Sequence, residues 1–145
     1  MSWPKPEAGL VIRYSYLWYS EHEQGREEGI KDRPCAVILA LREVDGSNSV
    51  LVLPITHSAP GNTIAAVEIP PVIKSRLGLD GERSWVVLSE SNTFTWPGPD
   101  LRPVSGRPDN SVAYGFLPPN FFIELRRRFV ELERVHRSRR VPRTE

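Results

Sequence analysis

Apolar and polar positions alternate first over residues 10–18, where Leu10, Ile12, Tyr14, Tyr16 and Trp18 fall on one side and Val11, Arg13, Ser15 and Leu17 on the other. A period of two, rich in aromatic and β-branched residues, predicts a half-buried strand, and Gly9 with the prolines before it marks the start. The pattern then stops. Residues 19–32 carry Glu21, His22, Glu23, Gln24, Arg26, Glu27 and Glu28 with Gly25 and Gly29, which predicts a loop over the surface. Residues 35–41 are almost unbroken apolar, the signature of a strand covered on both faces. Asp45-Gly46-Ser47-Asn48 is hairpin-turn chemistry, and residues 50–55 form the next buried strand. Pro54 has no N–H to give a ladder, so regular pairing is expected to end near it.

Pro60-Gly61-Asn62 predicts a turn and residues 65–69 a short strand. Pro70-Pro71 ahead of residues 72–77 and Gly78 has the proline-first, glycine-last order of a short helix. Trp85-Val86-Val87-Leu88 centres another buried strand over 84–89, whereas the prolines and glycines of 90–110 predict no regular structure for long. From about residue 118 to 140, Phe122, Leu125, Phe129, Leu132 and Val135 or His136 recur at helical spacing. Residues 1–140 therefore read as one domain, mainly β with a C-terminal α-helix, and residues 141–145 as a frayed tail. Five or six short strands with hairpin connections imply a small barrel or curled sheet carrying the helix.

Composition narrows the possibilities. The chain has 145 residues and a formal net charge of +1, which gives no global pull toward nucleic acid or membrane. The single cysteine, Cys35, excludes an internal disulfide framework and reads as a buried thiol in a reducing compartment. Met1-Ser2-Trp3-Pro4-Lys5 lacks the basic-then-apolar order of a signal peptide, and no apolar run approaches the roughly 20 residues that span a bilayer. A soluble, cytoplasmic protein is expected.

The sequence has no phosphate loop, no Gly-x-Gly-x-x-Gly and no Gly-x-Ser-x-Gly, and His22, His57 and His136 lie far apart without metal-ligand spacing. No cofactor or metal is expected. Candidate chemistry lies at strand ends. Arg33, before Pro34, is either a surface arginine at a strand end or a fixed guanidinium aimed at a phosphate. Thr56-His57-Ser58 closes the next strand, as a turn signal or as reachable groups on a rigid support. If the two strands pair antiparallel, Arg33 and Thr56 meet at one rim. Glu27 and Glu28, and also Glu90 beside Ser91 and Asn92, are solvated charges or carboxylates that orient Arg33 or accept a proton. Trp96, with Arg102 and Arg107 nearby, is a packed turn or a stacking platform for an unpaired base. Eight arginines against two glutamates over residues 126–143 read as the solvated face of the helix plus a tail.

Gly9-x-Val/Ile at the first strand, the charged loop into Arg33-Pro34, the triplet Pro54-Ile55-Thr56 and the later stretch Trp85-Val86-Val87-Leu88-Ser89-Glu90-Ser91-Asn92 together resemble the PemK/MazF family of toxins. Lys31-Asp32 stands where the family carries Gly-x. The resemblance implies an SH3-like barrel of the type shared with CcdB toxins, a homodimer, and metal-independent cleavage of single-stranded RNA, held in check by a cognate antitoxin. It puts the catalytic roles on Arg33 and Thr56 and the family's loop carboxylate on Glu28; Glu28 or His57 is the candidate base, and Ser58, Glu90, Asn92, Trp96 and Arg102 are the candidate RNA contacts. Products would carry 2′,3′-cyclic phosphate and 5′-hydroxyl ends. Two rivals are a non-catalytic barrel that binds RNA or protein, and a toxin of the same fold acting on DNA gyrase.

Overall fold

The computed structural model describes residues 3–25, 31–59, 61, 65–107, 109–135 and 139–143. Among the described residues eight strands make one mainly antiparallel sheet. In chain order they are β1 (Leu10–Tyr14), β2 (Arg33–Arg42), β3 (Asn48–Thr56), β4 (Ala66–Glu68), β5 (Trp85–Val87), β6 (Glu90–Trp96), β7 (Ala113–Phe116) and β8 (Arg139–Pro142). Three helices accompany them: α1 (Tyr19–Glu23), α2 (Pro71–Leu77) and α3 (Pro119–Val135). The path runs β4-β5-β3-β2-β1-β7, and β6 joins β3 to β8. Among the described residues no ladder joins β4 to β7, so the sheet path is open.

The apolar runs of β2 and β3 are explained by burial on both faces. Successive side chains point to opposite sides of a strand, and here the two sides feed different cores. Val11, Ala36, Ile38, Leu51, Leu53 and Ile55 face α2 and α3, meeting Ile73, Leu77, Leu125, Phe129 and Leu132. Ile12, Tyr14, Cys35, Val37, Val50 and Val52 face the other way, onto Phe94, Trp96, Leu101 and Val112. Truncating a buried leucine or isoleucine among these to alanine costs on the order of 2–5 kcal/mol. Only the far half of β2 leaves cover, where Leu39 and Leu41 are exposed.

Pro54 marks a change of partner. The β2–β3 ladder is recorded up to the Cys35–Pro54 pair, and β3 exchanges β6, its neighbour through Val52, for β5 at Ile55 and Thr56. The α2 expectation holds: Gly78 takes a left-handed conformation, φ 71°, and its N–H caps the Lys74 and Ser75 carbonyls. The expected turn at Pro60-Gly61-Asn62 rests on residues outside those described, apart from Gly61.

Three expectations are corrected. Residues 10–18 are strand only to Tyr14, and the next segment, buried at Tyr16 and Leu17, leads into the short helix α1 rather than a loop alone. Residues 90–96 form a full strand, because Thr93, Phe94, Thr95 and Trp96 are good strand formers and the prolines begin only at Pro97. The C-terminal helix ends at Val135, and residues 139–142 are no tail: β8 pairs parallel with β6 and buries Val141 completely. Among the described residues, no helix is long and apolar enough to cross a membrane.

Candidate nucleic-acid interface

The antiparallel register sets Tyr14 opposite Arg33, Cys35 opposite Pro54 and Thr56 opposite Trp85. The first residue of β2 and the last of β3 thus reach the same rim. Arg33 and Thr56 line one cavity of about 390 Å³, together with Lys31, Asp32, His57, Ser58 and Asp80.

Among the described residues Arg33 is held without being neutralised. Its guanidinium lies 4.9 Å from the Trp18 ring centroid, and its buried Nε has no hydrogen-bond partner. The adjacent carboxylate, Asp32, turns instead to Arg13 and Arg102, each at 3.7 Å. Among the described residues Arg33 has no carboxylate partner. A buried donor left unpaired costs about 1–3 kcal/mol, which an anion arriving at the rim would return. Cys35 beneath it stays a thiol, since burial pushes its pKa up, and Sγ contacts the Arg33 carbonyl oxygen at 3.7 Å.

Thr56 Oγ1 accepts the Ser58 N–H at 3.2 Å, an ST-turn that orients the hydroxyl and leaves its own proton to donate. Ser58 is exposed at the mouth. His57 is spoken for. Its Nε2 lies 2.9 Å from Asp80 Oδ2, and its Nδ1 lies 3.1 Å from both Ser84 Oγ and the Arg83 carbonyl. Asp80 Oδ1 accepts from the buried Lys74 Nζ at 2.7 Å, and Lys74 also donates to Ser84 Oγ at 2.7 Å and to the Glu82 carbonyl. The result is a closed ring, Lys74–Ser84–His57–Asp80, that ties the end of β3 to α2. Burial pushes the Asp80 pKa up, but the Lys74 hydrogen bond, the Glu82 N–H and the Lys74 and His57 charges outweigh it and hold it below the usual value. His57, Asp80 and Glu82 offer ligand atoms within 4.8 Å of one another, yet Asp80 already compensates the Lys74 charge.

The remaining site expectations divide. Glu28, the proposed loop carboxylate, lies outside the described residues. Glu90 is an anchor: its Oε1 accepts from the Tyr19 N–H at 2.9 Å and Tyr16 Oη at 3.2 Å, fixing the start of α1. Burial, then the Glu90 charge, pushes the Tyr16 phenol up. Asn92 is fully buried, with Oδ1 accepting from the Leu17 N–H at 2.9 Å and Nδ2 donating to the Leu17 carbonyl at 2.8 Å. Trp96 belongs to the second core, with Nε1 donating to the Pro4 carbonyl at 3.1 Å. Neither Asn92 nor Trp96 is available to RNA, because both side chains are enclosed. Arg102 donates to the Pro99 carbonyl at 2.8 Å and stays beside Asp32, close to the rim.

Trp18, Trp85, Lys74 and Asp80 escaped the sequence reading. Trp18 was legible as an aromatic ending a strand just before the charged loop; the others lie far from Arg33 in sequence and carry no local motif. Trp18 and Trp85 wall a second cavity of about 390 Å³, whose lining shares Thr56 and Ser58 with the first. No family model matches the chain, and no curated protein matches it.

Proposed function

We propose that the chain is a sequence-selective endoribonuclease of the PemK/MazF type, a cytoplasmic, homodimeric toxin of SH3-like barrel fold restrained by an antitoxin. The observation that carries this reading is Arg33, packed on Trp18, without a carboxylate partner among the described residues, and set at the same rim as the Thr56 hydroxyl. RNA brings its own nucleophile, so the protein's task is positioning and charge stabilisation. The 2′-oxygen attacks the adjacent phosphorus and the bond to the 5′-oxygen breaks. The proton lost from the 2′-hydroxyl passes to a base, and solvent water gives one proton to the departing 5′-oxygen. Arg33 holds the non-bridging oxygens as charge accumulates, and Thr56 donates to one of them. Glu28 is the base in this scheme; His57, engaged by Asp80 and Ser84, positions the strand end.

The test is a long RNA incubated with the protein in EDTA, followed by mapping of 5′ ends. Discrete cuts by wild type that disappear with Arg33→Ala, at unchanged thermal stability, support the reading. Absence of cuts by wild type, or equal cuts by both, sinks it. The engagement of both His57 ring nitrogens favours a second reading, a barrel that binds RNA without cutting it. That protein would bind the same RNA through Arg33 and leave it intact.

A further inference from the structure

We propose that the cavity between Trp18 and Trp85 takes one unstacked nucleobase from the strand whose phosphate rests on Arg33, an inference that rests on the RNA reading above. The two indoles and Val87 form apolar walls, and Thr56, Ser58 and Ser89 add hydroxyls. Thr56 and Ser58 also line the Arg33 cavity, so the two spaces share a wall and adjoin as base and phosphate do in one nucleotide. At about 390 Å³ the cavity lies within the range of small-molecule sites.

Each indole carries a guanidinium, but the two guanidinia differ. Arg83 stands 5.1 Å from the Trp85 centroid and is clamped by Glu68 through two 2.8 Å hydrogen bonds. Those bonds, above all, hold the Glu68 carboxyl below its usual value. Arg33, over Trp18, has no such carboxylate among the described residues. The positive charge open to a phosphate therefore lies at the Trp18 end, which sets the polarity: phosphate at Trp18, base reaching inward toward Trp85. Such a site selects a flat π-system joined to an anion. A base inside a duplex has both faces covered by its neighbours and is excluded, which restricts the site to single strands. Hydroxyls donate and accept equally well, so the pocket discriminates only weakly among bases.

The test uses the full chain and a short, fluorescein-labelled 2′-fluoro oligonucleotide of mixed sequence, which lacks the hydroxyl needed for cleavage, beside the same strand without bases. Anisotropy reads the affinity of wild type, Trp18→Leu, Val87→Trp and Arg33→Ala. Val87→Trp fills the cavity while keeping both indoles, and so covers a folding failure of Trp18→Leu. Stacking is worth about 1–3 kcal/mol per base, so both variants should weaken the base-bearing strand about 10-fold, to the level of the baseless one. Binding of the baseless strand should hold steady in Val87→Trp, and Arg33→Ala should weaken both strands. If Val87→Trp and Trp18→Leu bind like wild type while Arg33→Ala still loses both strands, the base pocket is wrong and the RNA reading stands. If wild type binds neither strand better than Arg33→Ala does, the RNA reading itself is wrong.

Discussion

Arg33 and Arg143 are both guanidinia packed on aromatic rings, and they have opposite roles. Arg143 lies 5.2 Å from the Tyr14 centroid, and Arg33 lies 4.9 Å from that of Trp18. Around Arg143 the fold supplies every kind of partner: Ser15 carbonyl at 2.7 Å, Asn92 Oδ1 at 3.0 Å and Asp100 Oδ2 at 2.8 Å. Its side chain is only 2% exposed, so the charge is fully committed to closing β8 onto β6. Beside Arg33 the carboxylate of its sequence neighbour Asp32 is drawn away by Arg13 and Arg102. The cation–π contact is the same; the supply of acceptors decides which arginine is structural and which is free to receive an anion.

Removing the better-supplied arginine should do the greater damage to the fold. Arg143→Ala takes the 2.8 Å guanidinium partner from buried Asp100 and one of two donors from Asn92 Oδ1, and denaturant unfolding should show a loss of about 3–5 kcal/mol. Replacing Arg143 and Asp100 together with apolar residues should recover much of that loss, and failure to recover would mean that the pair's hydrogen bonds to the backbone matter more than its charges.

Arg33→Ala inverts the pattern. Stability should change by no more than about 1 kcal/mol, since a cation–π contact is lost but an unpaired buried donor goes with it. RNA cleavage, assayed with a defined substrate, should fall on the order of 100- to 1,000-fold. A large loss of stability would make Arg33 a second Arg143 and remove its claim to a ligand.

Lys74→Met tests the ring that steadies the rim. It should cost about 1–3 kcal/mol by opening the bonds to Ser84 and Asp80. The effect should depend on pH with a definite sign. The Asp80 pKa is lower in the folded state, so its contribution is present above the unfolded value of about 3.9 and is lost as pH falls through the folded value. Wild type should therefore lose stability below about pH 4 more steeply than Lys74→Met, as read by unfolding curves across that range.

The smallest effect is expected at Arg102. Its contacts to Asp32 and Asp100 are 3.7 and 3.9 Å and the side chain is about a third exposed, so Arg102→Ala should cost about 0.5–1 kcal/mol. A larger effect on oligonucleotide affinity than on stability would place Arg102 in the RNA path.

Strands β6, β7 and β8 were not legible in the sequence, whereas the covered strands β2 and β3, the short strands β4 and β5, the end of β2–β3 pairing at Pro54, α2 and the existence of a C-terminal helix all were. Each is a local property: side-chain period, a missing N–H, or a glycine able to take positive φ. The meeting of Arg33 and Thr56 was legible too, because a hairpin with a short turn brings the start of one strand to the end of the next. Tertiary structure decided the rest. It turned Trp96 and Asn92 inward, gave Glu90 to α1, and fastened the expected tail as β8. It also brought Trp18 to Trp85 and committed His57 to Asp80 and Ser84. In every one of these cases the deciding partner is distant along the chain, and whether a charge or ring stays available depends on who else reaches it first.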